Sequence, residues 1–239
     1  NGINSGYVAR DPSGPSNQWR GAFASYHQPE LTGSCAGEHA SLATWTGVGG
    51  VTLHDPFFQA GTDEPWGYSS KIQASAFTEY FVNGHEFGHS KPNERPMHMN
   101  LRIVPGDRIQ SFALWNPKAH YILMAVINSG TVENPKHEID SVEIPGTESR
   151  LYDGREIWFN AAERPTASLQ SFNPLTLHNS LGLVTGKSWA GLGQLEHLHR
   201  QVMQESNSKG QQVGQIMATP GPILKDGLSF TETWNKCHP

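Results

Sequence analysis

The 239-residue sequence has no apolar run near the roughly 20 residues that a membrane-spanning helix requires, so no membrane partner is expected. It has no excess of basic residues either. Seventeen Lys and Arg stand against 22 Asp and Glu, giving a formal charge of -5 and a pI near 6.2. Such a chain offers no basic field to a phosphate backbone, and nucleic acid is not an expected partner. Internal repeats and long linkers are missing, which favours a single domain over 1–239. Cysteine is scarce, with only Cys35 and Cys237. An even count suggests a disulfide, worth about 5 kcal/mol in the chain-entropy picture and often less in practice; two separate buried thiols are the alternative. The opening "NGINSGYVAR" shows neither an initiator Met nor an apolar signal segment, and reads as a mature, secreted chain. A monomer is expected.

Gly and Pro, by contrast, are plentiful. The 25 Gly and 16 Pro, with only 16% charged residues, point to short elements joined by turns, and hence to an all-β class. Strand-like runs bounded by turn residues cover "QWRGAFASYHQ", "HASLATWTGVGG", "PFFQAGTD", "IQASAFTEYFV", "MNLRIVPGDRIQSFALWN", "HYILMAVINSG", "REIWFNAAERP" and "LTLHNS". "QIMATPGPILKDGLSFTETW" reads as strand, turn and strand. In "ASAFTEYFV", alternation puts Ala74, Ala76, Thr78 and Tyr80 on one face, and Ser75, Phe77, Glu79 and Phe81 on the other. One segment has helical spacing. Leu192, Leu195, Leu198, Val202 and Met203 form an apolar stripe that predicts a helical excursion near 189–205.

One motif suggests a metal. His85-Glu86-Phe87-Gly88-His89 fits HExxH, in which two histidines on one helical face hold zinc and the Glu serves as base. The motif needs a helix, but Gly84 and Pro92 flank it and the preceding run is strand-like. The extended form would need Gly at 92 and His at 95, where the chain has Pro92 and Arg95. A loop between strands is the favoured reading, and no metal is assigned.

A second constellation carries more weight. Trp45, Gly47 and Gly50, then Gln59, Gly61 and Asp63, then Ala76, Phe77, Glu79 and Tyr80 follow in order, with Trp19 and Gly21 upstream. "PGDRIQ", "AERPT" and "MATPGPILKDGLSFTETW" come after them. This series resembles the eqolisins, the glutamic peptidases, whose pattern runs Trp-x-Gly-x-x-Gly, Leu-Gln-x-Gly-x-Asp and Ala-Trp-x-Glu-Trp. The resemblance implies a concanavalin-like β-sandwich of two antiparallel sheets and endopeptidase activity toward polypeptides. It also implies that Gln59 and Glu163 form the catalytic dyad, with Trp19, Trp45, Asp63 and Glu79 binding substrate. A carboxylate takes a proton from the attacking water and returns it to the departing amine, while a carboxamide N–H steadies the oxyanion. That chemistry requires no metal and no cofactor.

Around the catalytic Glu, the family pattern Ala-Glu-Trp-Ile-x-Glu can be laid on "REIWFNAAERP" in two registers. Aligning Glu156 with the first Glu puts Asn160 at the catalytic position; aligning "ERP" selects Glu163, the preferred register. The Asn160 register would suit a non-catalytic, lectin-like carbohydrate-binding sandwich, and the histidine pair a zinc peptidase. The family resemblance implies an acidic optimum. The 12 His argue against very acidic operation, so activity is expected to be strongest in mild acid, with unfolding below about pH 3.

Overall fold

The computed structural model describes residues 3–15, 18–32, 40–52, 54–64, 74–82, 85–86, 97–145, 153–163, 168–204, 211 and 213–237. The strands in chain order are β1 (Asn4–Arg10), β2 (Trp19–His27), β3 (Ala40–Gly49), β4 (Phe57–Glu64), β5 (Ala74–Val82), β6 (His85–Glu86), β7 (Met97–Ile103), β8 (Arg108–Asn116) and β9 (Tyr121–Gly130). They continue with β10 (Pro135–Pro145), β11 (Glu156–Glu163), β12 (Ser168–Leu169), β13 (Leu175–Val184), β14 (Trp189–Gly191), β15 (Leu198–Gln201), β16 (Ala218–Pro220) and β17 (Phe230–Trp234). The front sheet runs β15-β1-β11-β3-β4-β5-β6, with β12 joined to β3 and β7 to β5. The back sheet runs β10-β9-β8-β2-β13-β17-β16, with β14 joined to β13. Pairing is antiparallel except for the short β12–β3 contact. This is the expected all-β sandwich.

Strict alternation builds it. Leu42 and Val48 on β3, Phe58 and Ala60 on β4, Ala76 and Tyr80 on β5, and Ile157 and Phe159 on β11 all join one core. Against them pack Ala22, Ala24 and Tyr26 from β2, Ile109 and Ala113 from β8, and Ile122 and Met124 from β9. Because strand side chains alternate, the intervening residues of β3, β4, β5 and β11 face outward, and the faces read from "ASAFTEYFV" hold. Polar bonds also cross the core: Tyr26 Oη lies 2.9 Å from Thr62 Oγ1, and Thr46 Oγ1 lies 2.8 Å from Ser111 Oγ.

The helical excursion is not formed. Over 189–204 the chain makes β14, a single 3-10 turn at Leu192–Gln194, and β15, which pairs with β1. Gly191 and Gly193 weaken a helix there, and His197 takes a left-handed φ of 54°. The apolar stripe finds its burial without a helix: Leu192, Leu195 and Met203 all enter the core, while β15 covers the edge of β1. β1 and β10 are the long strands absent from the sequence-based expectation.

Candidate active site

On the outer face of the front sheet, the ladder aligns side chains in three cross-strand rows. The first holds Glu163, Ala43, Asp63 and Ser75; the second Asn160, Trp45, Gly61 and Phe77; the third Trp158, Gly47, Gln59 and Glu79. Directly opposed residues share a face, so the five outward acids and amides Glu163, Asn160, Asp63, Gln59 and Glu79 converge on one surface. Trp45 ties the rows together.

A β-bulge is what brings Glu163 there. Asn160 pairs with Trp45 and Glu163 with Ala43, so Ala161 and Ala162 together oppose Thr44 alone. Both alanines are fully buried in the core, and Thr44 Oγ1 donates to the Ala161 carbonyl at 2.8 Å. In a regular strand, a residue three positions after Asn160 would point the opposite way. The extra residue turns Glu163 outward, so Asn160 and Glu163 occupy the same face and the two sequence registers describe neighbouring positions. Gly6 of β1 faces the bulge with φ of 150°, and a Cβ on it would lie 2.2 Å from the Phe159 carbonyl oxygen.

The Glu163 carboxylate accepts a hydrogen bond from Trp45 Nε1. Burial pushes its pKa up to about 7; the indole donor opposes that rise, and the charge of Asp63 adds to it. Gln59 is buried, its Nε2 donates to the Glu79 carboxylate, and its Oε1 has no hydrogen-bond partner among the described residues. Asn160, fully buried, has neither amide atom bonded among the described residues. Gly61 must lack a side chain, because a Cβ would meet Trp45 Cβ at 2.5 Å. A Cβ on Gly47 would likewise meet Phe57 Cζ at 2.7 Å.

Aromatic rings enclose this surface. Trp45 packs against Phe57 at 5.6 Å and Trp158 at 5.8 Å between ring centroids, and Phe57 reaches Phe81 at 6.4 Å. Arg10 sits 5.7 Å above Trp158 and pairs with Glu156, whose Oε1 accepts from Arg10 Nε at 2.6 Å. Phe57, Trp158 and Arg10 were not singled out from sequence. For Trp158 the signal was present, since in "EIWFN" the core residues Ile157 and Phe159 leave Trp158 and Asn160 outward.

Of the residues that the sequence nominated, Trp45, Gln59, Asp63, Glu79 and Glu163 share this face. Trp19 does not join them. It opens β2 in the back sheet, is 1% exposed, and belongs to the core between the sheets. The histidine motif also departs from its requirement. His85 and Glu86 lie in extended backbone paired with Val82 and Phe81, not in a helix, and Phe87, Gly88 and His89 lie outside the described residues. Among the described residues, no cluster of three or more His, Cys, Asp or Glu could hold a metal ion.

No family model and no curated protein sequence matches the chain. Solved structures do. Scytalido-glutamic peptidase with a transition-state analogue inhibitor aligns over 98% of both chains, with a TM-score of 0.65 and 14% identity. The same peptidase with a peptide-based transition-state analogue gives the same values. SCP-B, a member of the eqolisin family in complex with the tripeptide Ala-Ile-His, aligns over 98% of both chains, with a TM-score of 0.60 and 14% identity. At this identity the likeness establishes the fold: a sandwich with the architecture of the glutamic peptidases.

Proposed function

We propose that this chain is a secreted glutamic endopeptidase, in which Glu163 is the general base and acid and Gln59 steadies the oxyanion. The observation that carries the reading is the bulge at Ala161–Ala162, which turns an otherwise core-facing Glu163 onto the surface that holds Gln59. Water held by the Glu163 carboxylate gives up a proton as it attacks a peptide carbonyl, and the protonated Glu163 then supplies that proton to the departing amine. A carboxyl with its pKa raised toward neutrality suits both roles, because it is basic enough to take the proton and acidic enough to return it. Gln59 spends one N–H on Glu79, which orients the amide and leaves its second N–H for the oxyanion. The Trp45, Phe57 and Trp158 rings form an apolar wall for substrate side chains. The peptide ligands of the similar solved structures favour a polypeptide substrate here as well.

The same reading includes a Cys35–Cys237 disulfide. Cys35 lies outside the described residues. The Cys237 carbonyl accepts from Leu169 N–H at 2.9 Å, and Leu169 pairs with Ser41, only six residues beyond Cys35.

Incubation with a denatured protein across the pH range, with and without a chelator, tests the proposal. Cleavage in mildly acidic solution that survives chelation supports it. Chelator-sensitive cleavage, or sugar binding without any cleavage, overturns it.

A further inference from the structure

The outer face of the back sheet carries a second feature, independent of the peptidase reading. A depression of about 170 Å³ is lined by Ser25, Tyr26 and His27 of β2, Arg108, Ile109 and Gln110 of β8, Ser129 of β9, and His178 and Asn179 of β13. The register explains the grouping: His27 pairs with Arg108, Ser25 with Gln110, and His178 with Ser25. Outward side chains of two adjacent rows therefore meet, while Tyr26 and Ile109 send theirs into the core. A bulge after His178 widens the wall, and Asn179 there takes a left-handed φ of 51°. Its Nδ2 donates to Ser25 Oγ at 3.1 Å, and Ser25 Oγ donates to the His178 carbonyl at 3.2 Å, so the hydroxyl is fixed before any ligand arrives.

The charge pattern indicates what the depression receives. Arg108, His27 and His178 are its basic lining groups, and no carboxylate is among the lining residues. Among the described residues, Arg108 forms no ion pair. Asp226 approaches from the loop before β17; its pKa is lowered first by the hydrogen bond from the Ser229 hydroxyl, then by the Leu228 and Ser229 N–H groups, and least by the charge of His178. His27 Nδ1 lies 3.2 Å from the Gly106 carbonyl, which only accepts, so the proton sits on Nδ1 and Nε2 is left over. The depression has no exposed aromatic ring on which a neutral sugar would stack.

We infer that this depression binds a tetrahedral oxyanion, a phosphate or sulfate group, with the Arg108 guanidinium as its principal donor and His27 and His178 as further donors. The group is either a free ion or a substituent on an anionic polymer. Amide chemical shifts of the intact protein at pH 5.5 are followed during titration with sodium sulfate, with sodium phosphate and with a sulfated polysaccharide, against sodium chloride at equal ionic strength. Saturable shifts confined to residues 25–27, 108–110 and 178–179 are expected. Arg108→Ala weakens binding at least tenfold and Arg108→Lys by less, because the fork is lost but the charge is kept. Tighter binding of the polymer than of sulfate, with the same residues shifted, identifies the polymer as the source; equal or weaker binding identifies the free ion. Shifts that do not saturate, that chloride reproduces, or that persist unchanged in Arg108→Ala overturn the inference. Peptide hydrolysis by Arg108→Ala is expected to match the unaltered chain, so loss of the site and failure of the peptidase reading give different results.

Discussion

Glu163 on the outer face of the front sheet and Glu232 between the sheets are alike in chemistry and opposite in circumstance. Each is a desolvated carboxyl with one neutral donor: Trp45 Nε1 for Glu163, and Ser5 Oγ at 2.6 Å for Glu232. Burial raises both pKa values, to about 7 for Glu163 and about 8 for Glu232. Yet Glu232 is sealed in the core, whereas Glu163 stands on a surface with Asp63, Gln59 and an aromatic wall. A shifted pKa alone therefore does not mark a catalyst. The difference lies in the bulge, which gives one of the two carboxyls a surface to work on.

Removing each carboxyl's proton exchange separates the two sites. Glu163→Gln is expected to lower peptide hydrolysis by at least about 1,000-fold with circular dichroism unchanged, since the proposed general base is lost. Glu232→Gln leaves the rate per folded molecule within about twofold. Equal rate losses in both variants would mean that Glu163 acts only through the fold. Gln59→Ala follows, with a loss of about 100- to 1,000-fold, the usual range for one oxyanion donor. Here kcat should fall more than KM rises, and the reverse would make Gln59 a simple binding group.

A smaller effect is expected from Trp45→Phe, which keeps an aromatic ring against Phe57 and Trp158 but deletes the donor to Glu163. Without that N–H the carboxylate is less favoured, and the Glu163 pKa rises further. The acid limb of the pH–rate profile should move upward by roughly one unit, with a loss of about tenfold at mildly acidic pH. An unmoved limb would show that the indole only packs. Reduction of the proposed Cys35–Cys237 bridge should lower stability by about 2–4 kcal/mol, seen as a lower Tm, with little change in rate at temperatures where the chain stays folded.

What could be read from the sequence follows the physics of each element. Alternating strands such as "ASAFTEYFV" announce both faces, because a period of two needs no knowledge of the partner strand. The glycine-spaced order of Trp45, Gln59 and Glu79 was likewise visible. The bulge was not: "FNAAER" carries no glycine or proline, and only the pairing of β11 with both β1 and β3 shows that two alanines oppose one threonine. For that reason Asn160 and Glu163 looked like rival registers. Trp19 misled, since an indole at a strand start reads the same whether it faces a cleft or a core. The 189–205 segment misled for a related reason. Its apolar spacing satisfies a helix, but a free edge on β1 and two glycines favour extended chain.

The finest prediction sets the two carboxyl environments against each other as pH changes. Glu64 resembles Glu232: it is buried, its carboxylate accepts from Gln28 Nε2, and its pKa is pushed up to about 8, first by burial and then by the charge of Asp63, against the Gln28 bond. A carboxyl whose folded pKa lies above its unfolded value near 4.5 holds a proton that the unfolded chain releases across that interval. Stability from Glu64 and Glu232 is therefore fully present below about pH 4.5 and is lost as pH rises toward 8. This adds an alkaline lability to the acid unfolding expected below about pH 3. Over the same interval Glu163 ionises, so the base form per folded molecule increases toward about pH 7. The product of a rising rate and a falling folded fraction gives a maximum in mildly acidic to neutral solution. Glu64→Gln with Glu232→Gln should flatten the alkaline loss of stability, by circular dichroism melts at pH 5 and 8, while the acid limb of hydrolysis stays in place. If the double variant keeps the full alkaline loss, the buried carboxyls are not its source; if the acid limb moves with them, the assignment of that limb to Glu163 fails.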